Sequence, residues 1–458
     1  MMKIHILLIL TLIILYTSCI DNQDDIKQTE EWTQYIEPRI GTAHYRWFHF
    51  TLGVLPFGLA KPAPSTKGTV TDKIGLSYIS IENTRINMQI EAVNKAFNKV
   101  KEQVRHIWNE YWGHIKVETN IEDDKAKFYM GLYQALLGRG LANDVNGAYP
   151  QNDGSRGQLP MLGGKSQYNI YNTDAIWGAQ WNLSQPWVLA CPEYMSEFIS
   201  SHLQFYKDTG WLADSLANNR YVSGVGTNLF STIIVEAYQY GIRDFDTELA
   251  YETRFKKELD GKESPLRAEK INTTVFRKYG YVPHRNQGKG YHETFILSAS
   301  HSLEYSYSAA WVIAQCTKRL GDKVNYDKLM YLPKGWEHLY DQSCNFIRPK
   351  KSDGHSINQF NPMEVWRGVQ EENTWQYTFY APHDIKGSVE KTGKKMFTMR
   401  LNRIFTQSPK EIISRETEVG AFTGLETLYN HGNQPCLHIS LLFNEIGRPK
   451  PIQKWVPS

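Results

Sequence analysis

The sequence predicts a mainly α protein whose helices pair as in an (α/α) helical toroid. Three observations carry that expectation. From Phe128 onward, apolar runs with helical spacing alternate with glycine-containing turns. Gly210, Gly241, Gly261 and Gly321 each follow such a run, where a helix ends on a left-handed residue that glycine adopts at least cost. No Rossmann or phosphate-loop glycine pattern and no internal repeat breaks the series.

The elements follow in order. Met1-Met2-Lys3 is a short basic start, and Ile4 to Leu15 form an almost wholly apolar run. That run is too short to span a bilayer comfortably and suits the core of an export signal. Tyr16-Thr17-Ser18-Cys19 resembles a bacterial lipobox, so residues 1–19 are read as a signal peptide and Cys19 as a lipidation site. An exported outer-membrane lipoprotein is therefore expected, periplasmic or at the cell surface, tied to the membrane through an N-terminal lipid anchor. Residues 20–32 are a polar tether, opened by the acidic Asp21-Asn22-Gln23-Asp24-Asp25. Cys191, Cys316, Cys344 and Cys436 match no metal spacing and are expected as buried thiols.

Residues 33–81 are extended in character, and Ile74 to Ser80 reads as a strand. A linker helix region, 82–126, comes next. Asn83 or Thr84 is its cap, and Ile86, Ile90, Val93, Phe97, Val100, Val104, Ile107 and Tyr111 recur at helical spacing until Gly113 ends the run. Residues 127–458 form the helical domain. Charge is nearly balanced, with Lys+Arg 51 against Asp+Glu 48, which excludes the basic footprint of a nucleic-acid binder. Arg348-Pro349-Lys350-Lys351 is too short to change that and reads as a solvated loop. The 13 Trp and 27 Tyr suit sugar stacking, and equally the core of a helical ring.

Two segments concentrate chemistry. Glu371-Glu372-Asn373-Thr374-Trp375-Gln376-Tyr377 runs on through Pro382-His383-Asp384, and Tyr429-Asn430-His431-Gly432-Asn433-Gln434-Pro435 runs on to His438. Aromatic faces cover the apolar side of a sugar ring, while amides and carboxylates bracket its hydroxyls. A carboxyl beside Trp375 has its pKa raised by desolvation, as a general acid needs. The same spacing fits Trp375, Tyr377 and Phe379 packed in a core with Glu371 and Glu372 on a helix face, and both readings stay open at this point.

The first segment resembles the E-G-N-x-W-Q-Y-T-x-x-x-P-H-D signature of glycoside hydrolase family 92, the calcium-dependent exo-α-mannosidases, and the second is similar to its H-x-N-E-P-x-x-H motif. Further matches occur in order: Tyr35 to Thr42, Leu55-Pro56-Phe57-Gly58, Phe128 to Leu137, Asp144 to Tyr149, Gly241 to Asp246 and Leu303-Glu304-Tyr305. The resemblance implies an inverting exo-mannosidase acting on α-mannosides of N-glycans or mannan, with Glu371 as general acid. It implies Trp177, Asn373, Trp375, Gln376, His383 and His431 as substrate-binding residues. Ca²⁺ is the implied cofactor, with Asn433 and Gln434 as ligands and α-mannoside glycans as partners. It also implies that residues 33–81 are a small remnant of an N-terminal β-sandwich domain.

Departures qualify the expectation. Glu372 stands where the family usually has Gly, Gln434 where it has Glu, and Trp177-Gly178-Ala179-Gln180-Trp181-Asn182 where it has W-D-T-Y-R. Gly447 to Val456 resembles a segment that precedes the family's catalytic-base aspartates, so the toroid is expected to be incomplete and the base motif missing. Asp144, Asp174, Glu304 and Asp384 are the substitute candidates. General-base assistance is worth about 10²–10⁴-fold, so weak or absent turnover is expected. The alternatives are a non-catalytic mannoside-binding surface lipoprotein and an inactive gene fragment.

Overall fold

The computed structural model describes residues 31–36, 73–137, 140–172, 176–213, 215–217, 219–221, 229–260, 270, 272–285, 298–313, 321–413 and 424–456. The signal segment, Cys19, residues 37–72 of the expected β remnant, Asp174, Gly261 and Cys316 lie outside them. The described chain is mainly helical; its strands are four short antiparallel pairs, the longest joining Ala148–Pro150 to Arg156–Gln158.

Two compact units are present, one comprising Met1–Thr51 and Phe97–Gln134, the other Leu52–Ala96 and Ala135–Ser458. In the first, the turn Trp32–Tyr35 lies on aromatic rings: Trp32 sits 4.6 Å from Tyr129, and Tyr35 stacks on Tyr129 at 5.5 Å. Asn109 accepts the Trp32 backbone N–H at 3.1 Å. Trp108 and Trp112, four residues apart on the Phe97–Gly113 helix, stack at 4.9 Å, the pairing that helical spacing dictates.

In the second unit the helix Ser298–Ala310 is the most enclosed, with every residue from Ser298 to Ala309 buried. Its serines tolerate this because Ser302 and Ser306 return their hydroxyl protons to the carbonyls of Ser298 and Ser302, at 2.5 and 2.7 Å. The buried Lys270 ammonium is held by both Glu258 oxygens, at 2.6 and 2.5 Å. A separate apolar cluster gathers Phe346, Trp375, Phe379, Phe397, Leu401, Ile404, Phe405 and Phe443. Gly210, Gly241 and Gly321 have φ of 80°, 93° and 78°, and Gly210 returns its N–H to Tyr206 at the end of the Pro192–Thr209 helix. Cys191 and Cys436 are buried free thiols and Cys344 is partly buried.

Two expectations are corrected. Ile74 to Ser80 pairs with no strand among the described residues, and Ile74, Leu76 and Tyr78 are exposed. The helix expected to run from residue 83 to Gly113 is two helices, Ile81–Glu91 and Phe97–Gly113, and the cap is Ser80. Asn83 and Asn87 explain the difference, because the first helix turns a polar edge inward. Asn83 Nδ2 donates to Asp144 at 2.6 Å, Asn87 Nδ2 at 2.7 Å, and the Ser77 hydroxyl at 2.8 Å. The pattern of apolar residues at 86, 90 and 93 continues across the break, but Asn94 sits in the intervening turn, where its side chain favours local hydrogen bonding over helix.

Asp144 is 3% exposed, so removing its carboxylate strands three donors. Asp144→Ala is expected to lower stability in urea titrations by about 2–4 kcal/mol. A change within about 0.5 kcal/mol, the range of ordinary surface substitutions, would show that the carboxylate does not fasten the 77–87 segment.

Candidate active site

Glu371 and its neighbours are set by a capping motif. Asn373 begins the short helix Thr374–Tyr377, accepting the N–H of Trp375 at 3.0 Å and of Gln376 at 3.4 Å, while Gln376 accepts the N–H of Asn373 at 3.3 Å. The remaining amide protons of both residues go to another stretch of backbone. Asn373 Nδ2 donates to Leu425 and Thr427, each at 2.8 Å, and Gln376 Nε2 to Gly424 at 3.1 Å and Thr427 at 3.0 Å. Both side chains are therefore spent on backbone, and neither borders the pocket.

The same is true of most aromatic and imidazole groups in the two segments. Trp375 is 8% exposed, packs edge-on against Phe346 at 5.1 Å and has Arg400 and Arg403 over its ring. His383 meets the Pro333 carbonyl at 2.9 Å, and burial pushes its pKa down to about 4. His438 meets the Phe379 carbonyl at 2.9 Å and is likewise pushed down to about 4. His431 is exposed, its ring nitrogen against the Tyr429 hydroxyl. The core-packing alternative holds for Trp375 and Phe379; Tyr377 faces the pocket, its hydroxyl 3.5 Å from Glu304.

The pocket itself is walled by the carboxyl groups of Glu304 and Glu371, the amides of Gln370, Asn433 and Gln434, and the rings of Trp181, Tyr377 and Tyr380. Its free volume is about 20 Å³, room for about one water. Trp181 stacks on Tyr307 at 5.3 Å and on His438 at 5.4 Å, which fixes its plane at the wall. Sequence reasoning singled out Trp177, whose side chain lies outside what is described, and missed Trp181 one helical turn later; the i, i+4 spacing of the two was the available signal. Gln370 and Tyr380 were also missed.

Burial raises the Glu371 carboxyl above its ordinary 4.5, and raises the fully enclosed Glu372 well above it. Tyr377 and Tyr380 are pushed well above 10 by burial and by the acids Glu304 and Glu372. Among the substitute base candidates, Glu304 borders the pocket. Asp144 is engaged by Ser77, Asn83 and Asn87, and Asp384 caps the Ile385–Thr392 helix through the Gly387 N–H at 3.1 Å.

The donor set bears on calcium, which takes six to eight oxygen ligands. The oxygen-bearing side chains at the pocket are carboxyls, amides and phenols, and Gln370 Oε1 is buried without a hydrogen-bond partner. That chemistry fits a hard cation. Asn433 contributes least, since Oδ1 accepts the Gln434 N–H at 2.9 Å and Nδ2 donates to the Glu371 carbonyl at 3.1 Å. No cluster of three or more acidic, histidine or cysteine side chains suited to a metal occurs among the described residues. A shell here needs amide oxygens, water and ligand hydroxyls to complete it.

A larger cavity, about 400 Å³, lies at the other end of the Phe230–Gln239 helix, beside Tyr238, Tyr251, Arg254 and Asp322. Its Asp322 carboxylate is already taken by the Tyr251 hydroxyl at 2.7 Å and the Asn325 N–H at 3.0 Å.

No curated protein matches the chain. Among solved structures it is similar to a family GH92 α-mannosidase of Bacteroides thetaiotaomicron in complex with mannoimidazole, at 24% identity and TM-score 0.71, over 83% of this chain and 48% of that one. It is also similar to a family GH92 inverting mannosidase of Bacteroides thetaiotaomicron, at 22% identity and TM-score 0.69, over 82% of this chain and 50% of that one. The chain thus spans about half the length of these structures, and at such identity the likeness speaks for the fold. The sequence model of the glycosyl hydrolase family 92 catalytic domain matches residues 83–458, and the chain belongs to that family.

Proposed function

We propose that the chain is an α-mannoside-directed glycosidase domain, exo-acting and inverting, with Glu371 as general acid at the pocket bounded by Trp181, Glu304 and Gln434. The observation that carries the reading is Glu371 itself: a half-buried carboxyl, raised in pKa, at the wall of a carboxyl- and aromatic-lined pocket within the family's catalytic domain. Mannose-type ligands are supported by the mannoimidazole complex of the similar α-mannosidase. The helices are read as an (α/α) toroid, residues 33–81 as the β-domain remnant, and Cys19 as the lipid anchor of an exported protein.

Inverting hydrolysis needs one carboxyl to protonate the leaving oxygen and a second, roughly 6.5–9.5 Å away, to activate water. Burial keeps the Glu371 proton available at pH values where an ordinary Glu has lost it. Glu304 is the second carboxyl that borders the pocket among the described residues, and we assign it the water-activating role in this chain. Trp181 presents its ring to the sugar. The pocket in its present form admits about one water, so a mannose ring enters only with displacement of the Trp181 or Gln434 side chain. Calcium, when bound with the sugar, would supply positive charge at its hydroxyls; Gln370 and Gln434 are the groups placed to offer it oxygens.

Turnover of α-linked manno-oligosaccharides is expected to be weak, full where Glu371 is protonated and falling as pH rises through its raised pKa, so the alkaline limb lies above 4.5. Glu371→Gln is expected to cut mannose release about 10²-fold or more while binding survives. Release unaffected by Glu371→Gln would exclude the assigned acid, and saturable binding without release would leave a mannoside-binding protein.

For calcium, the melting temperature is the readout. Calcium alone is expected to shift it little, and calcium with mannoimidazole by more than the sum of the two separate shifts, because each completes the other's site. Strictly additive shifts would contradict a shared site.

A further inference from the structure

We infer that Glu372 is a positioning residue, clasping the Glu371 loop to the Gln434–Cys436 turn through a hydrogen bond from the Cys436 thiol. The inference rests on the reading of Glu371 as the acid, and it gives a role to the carboxyl that replaces the family's glycine.

The backbone sets the need. Glu371 has φ +53°, a left-handed conformation that is strained for a residue with a Cβ and persists only when its surroundings hold it. Two side chains of one 3₁₀ turn supply the hold. Asn433, the cap of that turn, donates Nδ2 to the Glu371 carbonyl at 3.1 Å. Three residues on, Cys436 Sγ lies 3.3 Å from Glu372 Oε1. Asn433 and Cys436 stand at the two ends of that short turn, and their contacts land on consecutive residues of the loop. Trp366 N–H to the Glu372 carbonyl, at 3.2 Å, closes the other side. Gln434 and Pro435, between the two anchors, border the pocket with Glu371. One clasp therefore sets the spacing of two pocket walls.

Glu372 and Cys436 are wholly buried, so their contact is made away from solvent. An alanine at 372 leaves a void that admits water and frees the strained residue.

The test is the backbone conformation of Glu371, read by NMR from its Cα and Cβ shifts and its HN–Hα coupling, with mannoimidazole affinity read by calorimetry. Glu372→Gln keeps a carbonyl oxygen for the Cys436 thiol and is expected to leave the left-handed signature of Glu371 and the affinity as in wild type. Glu372→Ala is expected to lose that signature and to cost about tenfold or more in affinity, as a misplaced group does. A left-handed Glu371 that persists in Glu372→Ala, or equal losses in the Gln and Ala variants, would overturn the inference. Should Glu372→Ala not fold, Cys436→Ala removes only the thiol, and an unchanged signature there overturns it as well. A wild type that shows the signature yet binds no mannoside would remove the functional reading and leave the clasp standing.

Discussion

Four hydrogen bonds from two amide side chains hold the acid-bearing loop in place. Asn373 and Gln376 close a capping box on one side and send their free amide protons to the carbonyls of residues 424, 425 and 427 on the other. Both are buried, so each amide that lost its carbonyl would be left unsatisfied away from water, which is costlier than the bond itself is favourable. The conformation of the capped turn and the distance between the two signature segments follow from that anchoring. Residues expected from the sequence to bind sugar thus act here on the protein's own backbone.

Burial then sets the electrostatics. Tyr377 and Tyr380 line the pocket with hydroxyls that burial holds to their protons, and Glu371 shares that low-dielectric surrounding while still reaching the cavity. A carboxyl placed this way is raised by desolvation alone, with no need of a charged partner. Its stability consequence has a definite sign. A carboxyl whose pKa is higher folded than unfolded favours the native state most at low pH, and that contribution declines as pH climbs from the unfolded value through the folded one.

Much of the architecture was legible in the chain. Glycines at 210 and 241 ended their runs in the left-handed conformation that position demands, and the two chemistry-bearing segments do meet at one pocket. What stayed hidden depended on partners far away in sequence. The first helix turns Asn83 and Asn87 inward to Asp144, a contact that apolar periodicity does not register. Asn373 and Gln376 read as sugar ligands because an amide suits a hydroxyl and a carbonyl equally, and only the position of residues 424–427 separates the two uses. Trp181 was passed over for Trp177, because spacing along the chain does not say which ring reaches the wall.

The central claim is that the pocket beside Glu371 and Trp181 is the sugar site. Calorimetric titration of mannoimidazole into the folded chain tests it most directly, in parallel with Trp181→Ala. The account predicts saturable binding at a single site, weakened about tenfold or more when the ring is removed, a loss on the scale of large-to-small aromatic truncation. Heats no different from dilution, or equal affinity in the two proteins, would contradict it.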